Sequence, residues 1–243
     1  VIFLGRIKVT DSDKEEKEMT IMGHLVELRS RFLYILIGMV ITTIIGFVIA
    51  PNILDYIAKP IGGVGNLQSI EVTESIGVYM RVALLSGVIL AMPIIVYELL
   101  MFILPGLSKS EKRWVYLAIP VASLLFLIGV LFAYFVMLPA AVPFLVGFLP
   151  VKTIIRLSNY IEFVTNIMFW IGLAFESPLL VFVLAKFHIV TGPMLLKQWR
   201  IAIVIIAVIS AMITPTVDPV NMGLLMLPLT ILYFLSVLLA YLA

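Results

Sequence analysis

The sequence predicts an all-α, polytopic membrane protein with six transmembrane helices, the fifth and sixth of them short, and both ends on the cytoplasmic side. Three observations carry this. Of 243 residues, 63% are hydrophobic and 12% charged, and with a mean hydropathy of +1.21 the chain has more apolar surface than a soluble domain of its size buries. The apolar residues fall into six runs, close to the roughly 20 residues that about 30 Å of hydrocarbon requires of a helix. Lys and Arg gather on alternate connections.

Residues 1–23 read as a polar N-terminal tail, disordered where Asp, Glu and Lys dominate, ahead of a six-helix domain over 24–243. The first apolar run, 32–50, has no charge and no small-residue cleavage site after it, so it is expected to stay as an anchor. The second, 76–104, is long enough to tilt, and Pro93 is expected to kink it. The third and fourth runs cover 114–138 and 160–186. In the fifth, 200–213, the unbroken part Ile201 to Ile213 reaches only about 20 Å, so it is expected to cross a locally thinned bilayer rather than turn back at TPTVDP (214–219). The sixth is 221–242.

Between these runs, 51–75 holds Pro51, Pro60 and three glycines and reads as a folded loop. The segment 105–113 is short and basic, 139–159 carries Pro139, Pro143 and Pro150, and 187–199 is short. Six Lys or Arg lie in the N-terminal region, three in 105–113 and three between Lys186 and Arg200, against four elsewhere. The positive-inside rule therefore puts both termini in the cytoplasm.

Several function classes drop out. Cysteine is absent, which excludes disulfides and thiolate metal sites. There is no GxxxxGK[ST], no HExxH, and no GxSxG within an apolar helix. No enzyme, cofactor or metal is therefore expected. A net charge of +2 with scattered basic residues gives no nucleic-acid footprint.

The candidate chemistry lies in carboxylates. Glu27, in HLVELRSRF (24–32), and Glu111, in the 105–113 loop, both fall at the cytoplasmic face, where together they would suit an arginine-bearing ligand through charge-assisted, bidentate bonds. Alternatively Glu27 pairs with Arg31 at i,i+4, and Glu111 with Lys112 or Arg113. Glu176 sits inside the fourth run, where an unpaired charge costs about 2.5–3.5 kcal/mol. At helical spacing it shares a face with Glu162, Thr165, Phe169 and Gly172, either as a partner-binding concavity or as a neutral acid bonded within the bundle. Snorkelling accounts for Arg81, Lys112 offers Glu98 a cation, and Asp218 reads as a turn residue. Phe102, Trp114, Tyr116 and Trp199 fit an interfacial belt.

From about residue 20 the chain resembles the TatC family, the multispanning receptor subunit of the twin-arginine protein translocase. The resemblance rests on HLVELRSRF, on AMPIIVYELLMFILPGLSKSEKR (91–113), on FAYFVMLP (132–139), on AFESP (174–178) and on ITPTVDP (213–219), in this order. It implies a concave, glove-like bundle that binds twin-arginine signal peptides of folded cargo and uses the proton gradient. Glu27 and Glu111 would be the recognising acids, with Phe102, Arg29 and His24 shaping the site. Glu176 would face the surface where single-span TatA/TatB-type subunits dock, beside Glu162 and Thr165. Pro60 and Asp218 match external-loop positions. The resemblance further implies self-association in a larger complex, contact with membrane lipid, and a prokaryotic plasma membrane rather than a thylakoid. A competing class is a secondary transporter in which Glu176 binds a proton or cation. The absence of an internal repeat counts against it.

Overall fold

The computed structural model describes residues 21–103, 109–147, 154–214 and 219–242, with the backbone alone at 21, 103 and 109–115. Nearly all of them are helical. Five helical segments are long and apolar enough to cross a membrane: Met22–Ile61, Glu74–Phe102, Tyr116–Gly147, Leu157–Lys186 and Pro219–Leu242. Trp199–Ile213 is a shorter apolar helix. Residues 21–23, expected to belong to the tail, are already helical; residues 1–20 and the turn acid Asp218 lie outside the described residues.

Helix α1 (Ile21–Ala58) has 38 residues, about 57 Å at 1.5 Å each, nearly twice the hydrocarbon thickness. It therefore starts before the expected apolar run and continues past it. Pro51 lies inside α1, although the sequence suggested a loop there. Proline removes one backbone donor, a loss that packed neighbours offset in membrane helices. The chain leaves α1 through a 3₁₀ turn, Lys59–Ile61. Pro60 sits in its first turn, where a missing N–H costs nothing, and left-handed Gly62 closes it by donating its N–H to Lys59 O. Helix α2 (Glu74–Ile103) returns with Pro93 inside it.

The next segment also runs longer than expected. Helix α3 (Lys109–Phe132) passes through a π turn, Ala133–Met137, into α4 (Leu138–Gly147). The Leu138 N–H reaches back five residues to Ala133 O, so the ladder changes register just before Pro139. Pro139 and Pro143 are thus carried within helix instead of forming a loop.

The fourth run, read as one helix over 160–186, is two: α5 (Leu157–Phe175) and α6 (Ser177–Lys186), divided at Glu176. Pro178 cannot donate to the preceding turn, which breaks the ladder beside the acid. Short α7 (Gly192–Lys197) leads into α8 (Trp199–Ile213), whose 15 residues span about 22 Å. That matches the shortness expected of the fifth apolar segment. Helix α9 (Pro219–Leu242) does not match the expected short sixth: its 24 residues reach about 36 Å, enough to cross.

Helix pairs meet where side chains are small, since packing rather than water drives association in lipid. At the α1–α2 crossing, a Cβ on Gly46 would stand 2.5 Å from Ala83 O, and one on Gly87 would stand 2.8 Å from Thr43 Cα. At the α3–α5 crossing, a Cβ on Gly129 would lie 2.8 Å from Gly172 Cα. The core beside these crossings includes Val82, Phe126, Ile161, Val164 and Ile171. Opposite the N-terminal face, two connections zip together: β1 (Leu67–Gln68) pairs in parallel with β2 (Ile155–Arg156). Tyr160 donates its hydroxyl to Ile57 O and Tyr134 to Tyr56 O, both at 2.8 Å, tying this cap to the end of α1.

Candidate functional site

The first turns of α1 and the last turns of α2 form a mixed acidic and aromatic cluster. His24, Glu27 and Arg31 follow one another at i, i+3 and i+7, so one stripe of α1 carries all three. Glu98 and Phe102 are spaced i,i+4 on α2 and face it. The His24 and Phe102 rings stack with centroids 4.2 Å apart and planes 21° from parallel. Arg31 donates Nε and Nη2 to Glu27 Oε1 at 2.9 and 2.7 Å, and Nη1 to Glu98 Oε2 at 3.0 Å. Among the described residues Glu27 Oε2 is buried without a hydrogen bond, and His24 Nδ1 lies 3.9 Å from it.

These side chains are partly shielded: Glu27 retains 16% exposure and Glu98 12%. Charge-assisted bonds here are therefore stronger than on an open surface, and water still reaches the acids. The geometry brings together His24, Glu27 and Phe102. It adds two residues that sequence reasoning did not assign to the site, since Arg31 was only an optional partner of Glu27 and Glu98 was matched to Lys112. Glu98 pairs with Arg31, because the α1–α2 crossing sets their helix ends side by side, and the Lys112 side chain lies outside the described residues. The available signal was a lone acid one helical turn from Phe102. Arg29 is exposed and lies about 200° around the helix from Glu27, away from the cluster. The Glu111 side chain lies outside the described residues.

The opposite face is held by a second ionic cluster. Glu74, buried at the start of α2, accepts hydrogen bonds from the N–H groups of Ile70, Glu71 and Ser158 at 2.8, 3.2 and 2.7 Å, and from Arg156 Nε at 3.2 Å. Arg156 Nη2 also reaches Glu71 at 2.7 Å. These two carboxylates hold the Arg156 pKa above its usual value. Arg81 does not simply snorkel: its Nη1 lies 2.8 Å from Glu162 Oε1, off the hydrogen-bond direction, so the contact is an ion pair.

That pairing splits the polar stripe expected on the fourth run. Glu162 is exposed and turned to Arg81, while Thr165 is buried and donates its hydroxyl to Ile161 O at 2.7 Å. Glu176 lies at the α5–α6 break, 6% exposed, with Oε1 lacking a hydrogen-bond partner among the described residues. Its carbonyl accepts from the N–H groups of Leu179 and Leu180 at 3.1 and 3.0 Å, restarting the ladder. Beside it, a cleft of about 300 Å³ opens between α5–α6, α8 and α9, lined by Trp170, Leu173, Ser177, Ile206, Ile213 and Tyr233 among others.

A sequence model described as Sec-independent protein translocase protein (TatC) matches residues 23–228. The chain belongs to the TatC family. It is 34% identical to the Sec-independent protein translocase protein TatC of Carboxydothermus hydrogenoformans over 233 residues, covering 93% of this chain and 94% of that one. The chloroplastic TATC of Arabidopsis thaliana is 35% identical over 224 residues, 90% of this chain and 65% of that one. A crystal structure of a twin-arginine translocase receptor TatC superposes with a TM-score of 0.79 at 34% identity, covering 90% of this chain and 98% of the other. As a TatC protein the chain is a multi-pass membrane receptor subunit of the twin-arginine translocase, and not an enzyme. Membership implies twin-arginine signal peptides and other translocase subunits as partners.

Proposed function

We propose that the His24, Glu27, Glu98 and Phe102 cluster, completed by Glu111, reads the paired arginines of export signals carried by folded cargo. What supports this most is Glu27 Oε2, a buried carboxylate oxygen with no hydrogen-bond donor among the described residues, set beside an aromatic stack. A guanidinium fits such a site because it stays charged, offers a planar fork of donors and lies flat on aromatic faces, whereas lysine brings a compact point charge. Arg29, on the far side of α1, acts as an orienting charge for the first helix in this reading.

The site faces the cytoplasm and both termini lie there, as the alternation of basic connections supports. The membrane is a prokaryotic plasma membrane. Single-span TatA/TatB-type subunits dock along the apolar cleft next to Glu176, where Ala174 and Ser177 on either side of the acid line the wall and Ser177 and Ser236 offer a docking helix polar contacts. Copies of the chain assemble in a larger complex, and the proton gradient drives transport. Export of a twin-arginine reporter from cells carrying Glu27→Gln or Glu111→Gln tests the recognition role. A drop of about tenfold or more is expected from losing one shielded charge-assisted bond. Export at the parental level from both variants would remove these acids from recognition.

A further inference from the structure

The acid pair on the N-terminal face is already occupied. Arg31 spans it, with two nitrogens on Glu27 Oε1 and the third on Glu98 Oε2. A guanidinium held between carboxylates of two helices is the arrangement an arginine arriving from outside would itself adopt. We propose that Arg31 is a resident stand-in for the ligand's arginine, so that binding is an exchange of guanidinium groups at Glu27. The inference rests on the arginine-reading function proposed above.

Three features favour exchange over a permanent clasp. Arg31 engages Glu27 through Oε1 alone, and among the described residues Oε2 is left without a hydrogen bond, so the carboxylate keeps one oxygen for an incoming donor as Arg31 swings aside. Arg31 keeps 21% exposure, so its side chain can swing without crossing a packed interior. When it releases Glu27 it still has Glu98, which avoids the large cost of orphaning a shielded charge. Two acids on one resident cation therefore make a holder and an exchange position: Glu98 retains Arg31, and Glu27 changes partner.

The arithmetic gives a distinctive expectation. A resident competitor multiplies the apparent affinity by the fraction of time the position is open, so that the apparent Kd is the intrinsic Kd divided by that fraction, and it does so for every ligand alike. Removing Arg31 should tighten twin-arginine and twin-lysine peptides by the same factor and leave their ratio unchanged.

The test is fluorescence anisotropy of labelled twin-arginine and twin-lysine signal peptides on the full chain in nanodiscs, comparing wild type, Arg31→Gln and Arg31→Lys, with thermal stability measured on each. Arg31→Gln is expected to lower Kd by about three- to tenfold for both peptides. Arg31→Lys keeps the charge but loses the fork, and is expected to fall between wild type and Arg31→Gln. If Arg31→Lys binds like wild type, the gain is loss of a repelling charge and the stand-in role is overturned. Unchanged or weaker binding by Arg31→Gln at parental stability also overturns it, leaving Arg31 as a clasp between α1 and α2. If Arg31→Gln loses stability, Arg31→Lys alone decides in the same way. No peptide binding by any of the three chains overturns the arginine-reading function itself.

Discussion

Replacing Gly87 with alanine adds one carbon, and the structure says where it goes. The new Cβ would stand 2.8 Å from Thr43 Cα and 3.0 Å from Thr43 N, with Thr43 Oγ1 closer still. Two of these neighbours are backbone, so no rotamer change relieves the contact and α1 must shift away from α2. Overpacking of this kind costs about 1–3 kcal/mol, while Ala gains up to about 1 kcal/mol over Gly in helix propensity. The net expectation is a loss of about 1–2 kcal/mol, or a few degrees in Tm for a chain of this size. Gly77→Ala is the matched control, because its Cβ would meet nothing within 4 Å, and its Tm should hold or rise. The same shift should loosen the Arg31–Glu98 contact, which crosses from α1 to α2, so signal-peptide affinity should fall with Tm in Gly87→Ala. Fluorescence-detected size-exclusion after heating, with peptide anisotropy on the same samples, reads both. Equal Tm values for the two variants would refute the close α1–α2 crossing as described.

Other expectations concern the opposite face and the interior. Tyr160→Phe removes a hydroxyl that donates to Ile57 O inside the core, and should cost about 1 kcal/mol in thermal unfolding. Glu74→Gln and Arg156→Gln break the same ionic cluster, so the double variant should be no less stable than the worse single one; additive losses would show that the two act independently. Glu176→Gln neutralises a buried carboxylate whose Oε1 has no partner among the described residues and should keep or raise stability while reducing co-purification of single-span subunits. Full retention of those subunits would assign Glu176 to the bundle instead.

Much of the fold was legible because lipid imposes one strong rule: backbone groups must be satisfied internally, so apolar runs become helices. The five long apolar helices and the shortness of α8 follow from that. Prolines were where the reading failed. Pro51, Pro139 and Pro143 looked like loop residues, yet α1 continues through the first, and a π turn resets the ladder ahead of the other two. Pro178 did interrupt its helix, beside Glu176, because it lies one turn after residues already committed to α5. At the site, Glu27, His24 and Phe102 were found through motif position, and helical phase explains their convergence. Glu98 was visible as a lone acid but was matched to Lys112, since the partner of a residue at a helix end depends on which helix packs beside it. No local pattern specifies that. The stripe through Glu162, Thr165 and Glu176 failed for a related reason: it assumed one straight helix and no cation opposite, whereas the helix breaks at Glu176 and Arg81 draws Glu162 aside.

Site-specific photocrosslinking addresses recognition most directly. With a photoreactive side chain placed at Phe102, and separately at Leu25 on the outward side of α1, a twin-arginine signal peptide added to membranes should crosslink at Phe102 and much less at Leu25. A twin-lysine peptide at the same concentration should crosslink weakly at both. Equal crosslinking of the two peptides at Phe102, or crosslinking of the twin-arginine peptide at Leu25 alone, would contradict an arginine-reading site built on Glu27.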